Sequence, residues 1–309
     1  MRVVGQPQGR VIGLGLCVVD HLYRVESLDL TAQRIRYQER LVSLGGMVAN
    51  ALVQAASEGA RTEALSTVGD DPEGRVVRRA LARAGVGTRG VLRVKGGATR
   101  IAVVFVDEGS GERRFLIADR APYNRDAPDL PLRAILPDSV LMIDGHYAAQ
   151  ARRAIVRARK VGARVVADWN RPIPELLELL PGVDHPVVPL EFVEQFTGGD
   201  AHEALRRLRD LSGGEPVVTL GARGALYFEG RRIRRYPARK VRVVDTTGAG
   251  DAFHGAFAAA LAQGAGLLAA IERGTQAGAR CCTFPGATGH LLEPEERVSD
   301  GRWSRPSER

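Results

Sequence analysis

Apolar runs of strand length alternate with amphipathic stretches along most of the chain. Val140 to Ile143, Arg164 to Ala167 and Pro216 to Leu220 are apolar nearly throughout, whereas Ala148 to Val161 and Ala201 to Leu211 carry alanine and arginine at helical spacing. Strands apolar on both faces and separated by helices predict an α/β architecture: a mostly parallel sheet covered by helices on both sides. Ligands of such sheets bind beyond the carboxyl ends of the strands. Asp20, Asn170, Gly221 and the segment opening at Asp245 all fall at such ends. Two segments break the rhythm. Tyr23 to Leu44 and Thr99 to Ala118 carry β-type residues and no long helical repeat, and the second contains a hairpin-like Asp107-Glu108-Gly109-Ser110-Gly111. On residues alone they read as edge hairpins of the core.

The most informative stretch is Asp245-Thr246-Thr247-Gly248-Ala249-Gly250-Asp251-Ala252-Phe253-His254-Gly255-Ala256-Phe257. The run Val241 to Val244 before it predicts a strand, the glycines a turn, and the small apolar residues after it a helix. Gly248, Ala249 and Gly250 leave backbone N–H groups uncovered at the first helical turn, where free donors and the helix dipole favour an anion. Asp251 sits inside that anion site. A carboxylate there makes chemical sense as the base for a hydroxyl that attacks the bound anion, the division of labour found in phosphoryl transfer. A Walker P-loop is excluded, because Asp251 and Ala252 stand where Lys and Ser or Thr belong. The plain alternative for the turn alone is a helix start with a first-turn acid.

Upstream, Gly45-Gly46-Met47-Val48-Ala49-Asn50 pairs glycines that allow close backbone approach with a side chain that both donates and accepts. Together the two segments resemble the two signatures of ribokinase-like sugar kinases, the phosphofructokinase-B type. The resemblance extends from about Val11 to about Gly286. It implies a three-layer α/β/α core made of residues 1–20, 45–97 and 122–295, with a small β-sheet lid inserted as 21–44 and 98–121. The polar stretch 296–309 is expected to be a disordered tail.

By this resemblance, Asp251 is the base, and Gly248, Ala249 and Gly250 form the anion hole. Asp20, Gly45, Gly46 and Asn50 hold the sugar. Arg100, read from its place at the mouth of the second lid segment, either contacts an anionic substrate group or is a surface residue. Thr219, Gly221 and Gly224 form the glycine turn beside the nucleotide. Asn170 faces phosphate and Ala277 belongs to the adenine side. Glu191 serves the nucleotide and, through water, magnesium. Asp245 organises its turn and neighbours a monovalent cation, potassium. ATP and Mg²⁺ are the expected cofactors, and a homodimer through the lid is the expected assembly. Two departures stand out: Trp169 replaces Pro in the family's Asp-Pro-Asn-x-Arg stretch, and Pro189 replaces Asn in its Asn-x-x-Glu motif, leaving Glu191 rather than Glu194 as the candidate acid. Asp144-Gly145-His146 and the His254 of the downstream signature resemble the ketose-type branch, relatives of ketohexokinase and sulfofructose kinase. His254 itself reads first as a packed helix residue. A nucleoside kinase of the same fold, or a silent sugar or nucleotide sensor, is the alternative; a lid richer in aromatics than Tyr23, Tyr37, Phe105 and Phe115 would favour the nucleoside.

Composition narrows the classes further. The 309 residues are 44% hydrophobic, enough for one large core with a small appendage. The formal charge of +8 raises nucleic-acid binding. Its densest cluster, Arg231-Arg232-Ile233-Arg234-Arg235, suits a solvated hairpin, and no recognition-helix motif or stacking platform accompanies it. We therefore expect no nucleic-acid partner, and the charge would attract ATP and anionic sugars. No stretch approaches the roughly twenty apolar residues of a membrane span. Cys17, Cys281 and Cys282 lack metal-ligand spacing, and the expectation is a soluble, cytoplasmic protein.

Overall fold

The computed structural model describes residues 9–29, 33–107, 113–117 and 129–299. Its main sheet has nine strands. β1 (Arg10–Leu14), β4 (Arg61–Gly69), β5 (Val91–Val94), β8 (Ser139–Asp144), β9 (Arg164–Asp168), β10 (His185–Pro189) and β11 (Val217–Thr219) run parallel, in the order β11-β10-β9-β8-β1-β4-β5. β12 (Ala225–Glu229) and β13 (Arg232–Tyr236) extend the β11 edge as antiparallel strands. The basic cluster lies on this outermost hairpin, as its residue pattern implies.

Successive strand side chains enter opposite cores. Val11, Val140, Met142, Val166 and Val187 pack toward α1 (Met47–Ser57), α2 (Pro72–Arg83), α7 (Ala249–Ala262) and α8 (Leu267–Cys281). Ile12, Leu141, Ile143, Val165 and Val188 pack toward α3 (Ala148–Val161), α4 (Pro174–Leu177), α5 (Leu190–Thr197) and α6 (Ala201–Ser212). A period of two with both faces buried is the signature of a sandwiched parallel sheet, and it yields the three-layer α/β/α fold. The helix α2 opens on a side-chain cap: Asp71 Oδ1 accepts the Gly74 N–H at 2.7 Å, with Pro72 in the first turn.

The second, smaller sheet has the order β14-β3-β2-β6-β7. It consists of β2 (Val18–Val25), β3 (Tyr37–Gly45), β6 (Ile101–Asp107), β7 (Arg113–Ile117) and β14 (Glu296–Ser299). Two expectations are corrected here. Glu296–Ser299, read as part of a disordered tail, pairs antiparallel with Glu39 to Val42 of β3, because that edge offers free ladder groups; 300–309 lie outside the described residues. Val241 to Val244 is not a strand. Val241, Val243 and Val244 are exposed, and the backbone instead donates from Val244 N and Asp245 N to the Cys282 carbonyl, at 2.8 and 3.2 Å. β-branched residues favour extension, but 241–244 pair with no strand among the described residues. The strand read over Pro216 to Leu220 is shorter, Val217–Thr219. Residues 108–111 of the hairpin-like segment lie outside the described residues, while the strands flanking it, β6 and β7, pair antiparallel.

Candidate active site

Two glycine-led helices converge at the carboxyl edge of the sheet. α1 starts after Gly46, whose φ of 99° only glycine adopts freely and whose hydrogen faces the Leu16 carbonyl so closely that a Cβ would overlap it. α7 starts after Gly248, at φ 72° and against Ala287. Gly255 on α7 lets the two helices touch: a Cβ there would overlap the Ala51 carbonyl of α1. The result is that Asn50 Nδ2 donates to Asp251 Oδ2 at 2.8 Å. No side chain caps the α7 N-terminus; the Ala249 N–H, expected in the anion hole, instead donates to the Thr246 carbonyl at 3.3 Å, which leaves the Gly250 and Asp251 N–H groups open to an anion.

Asp20, the third residue of β2, lies against Gly45, where a Cβ would overlap its carboxylate. Burial, and then the charge of Asp251, pushes Asp20 up to about 7. Burial, followed by the charge of Asp168, pushes Asp251 up to about 7 as well, against the opposing pull of the Asn50 amide. A base with its pKa near neutrality is well matched to proton transfer at physiological pH. Asp144 and Asp168 end the paired strands β8 and β9 and face each other in register. Burial, with Asp144 second, holds Asp168 well above the usual carboxylate range. Asp144 is fully buried and accepts from Leu16 N at 2.7 Å and His146 N at 2.9 Å. His146 Nδ1 stands 3.2 Å from Asp144 Oδ1, and the imidazole is about a third exposed toward the edge. Next to it, Tyr147 adopts φ 57°, unusual for a bulky residue, and its hydroxyl is tied to Thr67 at 2.8 Å.

The residues expected on the nucleotide side line neighbouring strand ends. Asn170 follows β9, Glu191 opens α5 directly after β10, and both are exposed. Thr219 ends β11, and Gly221 to Arg223 make a single 3-10 turn. Gly221, at φ 57°, has open space above it, whereas Gly224, at φ 95°, is pressed against the Tyr236 carbonyl. Ala277 packs with Ala252, Ala256 and Cys281 between α7 and α8. Asp245 is engaged within its own turn: Oδ1 accepts from Thr247 N at 2.8 Å and Thr247 Oγ1 at 2.7 Å, and Oδ2 from Gly286 N at 2.8 Å. Arg100 accepts the Val19 N–H through its carbonyl, and its Nε is buried without a hydrogen-bond partner among the described residues.

Sequence reading passed over Asp144 and Asp168 as site residues; the available signal was an aspartate closing each of two buried strands. His254 is packed, at 3% exposure, as its helical position implies, but it also makes polar contacts through both ring nitrogens. Among the described residues no cluster of three or more His, Cys, Asp or Glu side chains could hold a metal ion, and no helix is long and apolar enough to cross a membrane.

Comparison with known proteins bears on the family and the fold. A family model described as pfkB family carbohydrate kinase matches residues 9–293. A ribokinase of Haemophilus influenzae is 27% identical over 299 residues, covering 92% of this chain and 96% of the relative. A fructoselysine 6-kinase of Escherichia coli is 29% identical over 255 residues, covering 79% of this chain and 91% of the relative. The structure of Arabidopsis thaliana ribokinase complexed with ribose and ATP shares the fold, with a TM-score of 0.79 at 23% identity over 92% of this chain and 96% of that one.

Proposed function

The chain belongs to the pfkB family of carbohydrate kinases, and we propose that it transfers the γ-phosphate of ATP to a primary hydroxyl of a small sugar, preferentially a ketose. That it is a phosphotransferase with an alcohol acceptor follows from the family; the acceptor and the residue roles are our reading. The observation that carries this reading is the hydrogen bond from Asn50 to Asp251, which joins the sugar-side glycine segment to the base beside an open helix N-terminus.

In this reading Asp20, Gly45, Gly46 and Asn50 hold the sugar. Asp251 takes the hydroxyl proton as the new O–P bond forms and the bond to the β-phosphate oxygen breaks, releasing ADP. The backbone N–H groups of Gly248, Gly250 and Asp251 face the transferring phosphoryl oxygens, and each such donor is typically worth a hundredfold or more in rate. Thr219, Gly221, Gly224 and Asn170 flank the nucleotide. Magnesium commonly arrives with nucleotide phosphates, keeps most of its waters and takes only one or two protein carboxylates. The exposed Glu191 fits that demand without a preformed cage, and the metal would neutralise phosphate charge. Asp245 already accepts three hydrogen bonds, so its part here is to hold the turn, with any potassium ion held by neighbouring carbonyls.

The ketose preference rests on Asp144-Gly145-His146, which presents an imidazole at the sheet edge, and on the fructoselysine 6-kinase among the relatives. A nucleoside acceptor is less well supported. Tyr23, Tyr37 and Phe105 pack on one another, with ring centroids 5.2 and 6.0 Å apart. Tyr23 and Phe105 point to the sheet face opposite Asp20, by strand alternation. The exposed Phe115, Leu116 and Ile117 of β7 support a homodimer through the lid sheet.

The test is an ADP-release assay with Mg-ATP across ketoses, aldoses, sugar acids and nucleosides, run beside Asp251→Asn. We expect turnover with a ketose and a loss of at least a hundredfold in the variant. Turnover unaffected by the variant would falsify the mechanism, and an aldose or nucleoside preference would overturn the choice of acceptor.

A further inference from the structure

His254 is the one strongly polar side chain inside the otherwise apolar face of α7, and it is 3% exposed. Its Nδ1 lies 2.7 Å from the Gly250 carbonyl and its Nε2 lies 3.1 Å from the Val187 carbonyl of β10. Asp168 Oδ2, at the end of β9, is 3.4 Å from Nδ1. The ring thus ties the helix that carries Asp251 to the end of β9 and the middle of β10. The shorter contact is the more consequential. The Gly250 carbonyl and the Asp251 N–H are opposite ends of one peptide plane. Inside α7 that oxygen is also the i→i−4 acceptor of the His254 backbone N–H; a second donor from the ring further restrains the peptide plane and so the direction of the Asp251 N–H, and hydrogen bonding at the oxygen polarises the N–H and strengthens it as a donor.

We propose that His254 is a positioning residue: its Nδ1–H, donated to the Gly250 carbonyl, aims the Asp251 N–H into the anion site of α7. Nδ1 takes the proton because the 2.7 Å contact demands a donor there. In a neutral ring Nε2 is then unprotonated, so its 3.1 Å approach to the Val187 carbonyl is an acceptor facing an acceptor and not a hydrogen bond, while Asp168 stands beside the donor. Burial pushes the imidazole down from its ordinary value, and the Gly250 and Val187 carbonyls oppose that push. The same burial pushes Asp168 up, keeping the pair from carrying a full buried charge separation. The Gly250 and Val187 carbonyls and Asp168 face the ring, Phe253 lies in a T-shaped arrangement with it at a centroid distance of 6.0 Å, and the charge of Asp251 also acts on it.

This inference rests on the kinase reading for its kinetic arm only. His254→Phe keeps bulk and removes both ring nitrogens; His254→Asn places an amide donor near the position of Nδ1. We expect kcat to fall about 10- to 100-fold in His254→Phe, below the cost of deleting a hole donor outright, with KM for sugar and ATP within about threefold of the parent. His254→Asn should recover most of the loss. Equal kcat in the two variants, or a loss confined to KM, overturns the proposal. The second arm is ¹⁵N NMR of the histidine-labelled parent, with His254 assigned from the signal lost in His254→Asn. A protonated Nδ1 is expected, and an Nε2–H tautomer overturns the proposal whether or not any acceptor turns over and whether or not His254→Phe folds. An inactive parent with Nδ1 protonated would count against the kinase reading and leave the hydrogen bond established.

Discussion

Asn50 and Asp251, 201 positions apart in sequence, meet through a 2.8 Å hydrogen bond from the Asn50 amide to Asp251 Oδ2. The amide favours the carboxylate form and is the first influence opposing burial at Asp251. Asn50→Ala should therefore move the acid limb of the kcat/KM profile, expected near pH 7 in the parent, upward by about half to one pH unit. The sugar contact is lost as well, so the plateau should drop about tenfold or more. A pH profile at saturating ATP reads both effects, and an unmoved limb would separate Asn50 from the base.

Asp20 and Asp251 are both pushed up to about 7 by burial first and neighbouring carboxylate charge second. Unfolded carboxyls titrate near about 4. Between those values the folded protein holds protons that the unfolded chain has released, so stability falls as pH rises through about 4 to 7 and levels off above. Asp251→Asn removes one such carboxyl. At pH 8 it should be more stable than the parent by on the order of 2 kcal/mol, or about 3 °C in melting temperature. The gap should close below about pH 3.5, under the unfolded value, and calorimetry at both pH values distinguishes this from a pH-independent effect.

Gly255 sits where α7 crosses α1 against the Ala51 carbonyl. Alanine would ordinarily favour a helix by up to about 1 kcal/mol. Here its methyl would force the helices apart, an overpacking cost of about 1–3 kcal/mol. Gly255→Ala should melt several degrees lower and lose turnover with it, because the same crossing sets the approach of Asn50 to Asp251. Thermal melting together with the ADP-release assay checks this; a stabilised, fully active variant would contradict the packing argument.

Glu295 joins β14 to the core. Its N–H donates to the Val42 carbonyl at 2.7 Å, and its carboxylate accepts from Arg79 at 2.8 Å and Arg83 at 2.7 Å, both on α2. The arginines are half exposed, so Glu295→Ala should cost the fold only about 0.5–1 kcal/mol. The local effect should be larger. Amide hydrogen exchange over Glu39 to Val42, the partners of β14, should speed up by tenfold or more, while exchange in the main sheet stays unchanged.

Local sequence carried much of this protein. The βα rhythm determined a sandwiched parallel sheet, because strands buried on both faces and helices buried on one leave different periodicities. The run from Asp245 to Phe257 and the Gly45-Gly46 pair marked their turns through glycines needed within a few residues. Tertiary structure alone decided the rest. Asp144 and Asp168 became neighbours through the β8–β9 register, and His254 acquired its partners from β9 and β10. Glu296–Ser299 became a strand because an open edge of β3 awaited it, whereas Val241 to Val244, the better β-former, found no edge. Periodicity and turn chemistry are properties of a few adjacent residues. Partners for a carboxylate, an imidazole or a strand edge come from segments far away in the chain, and only packing brings them within hydrogen-bond reach.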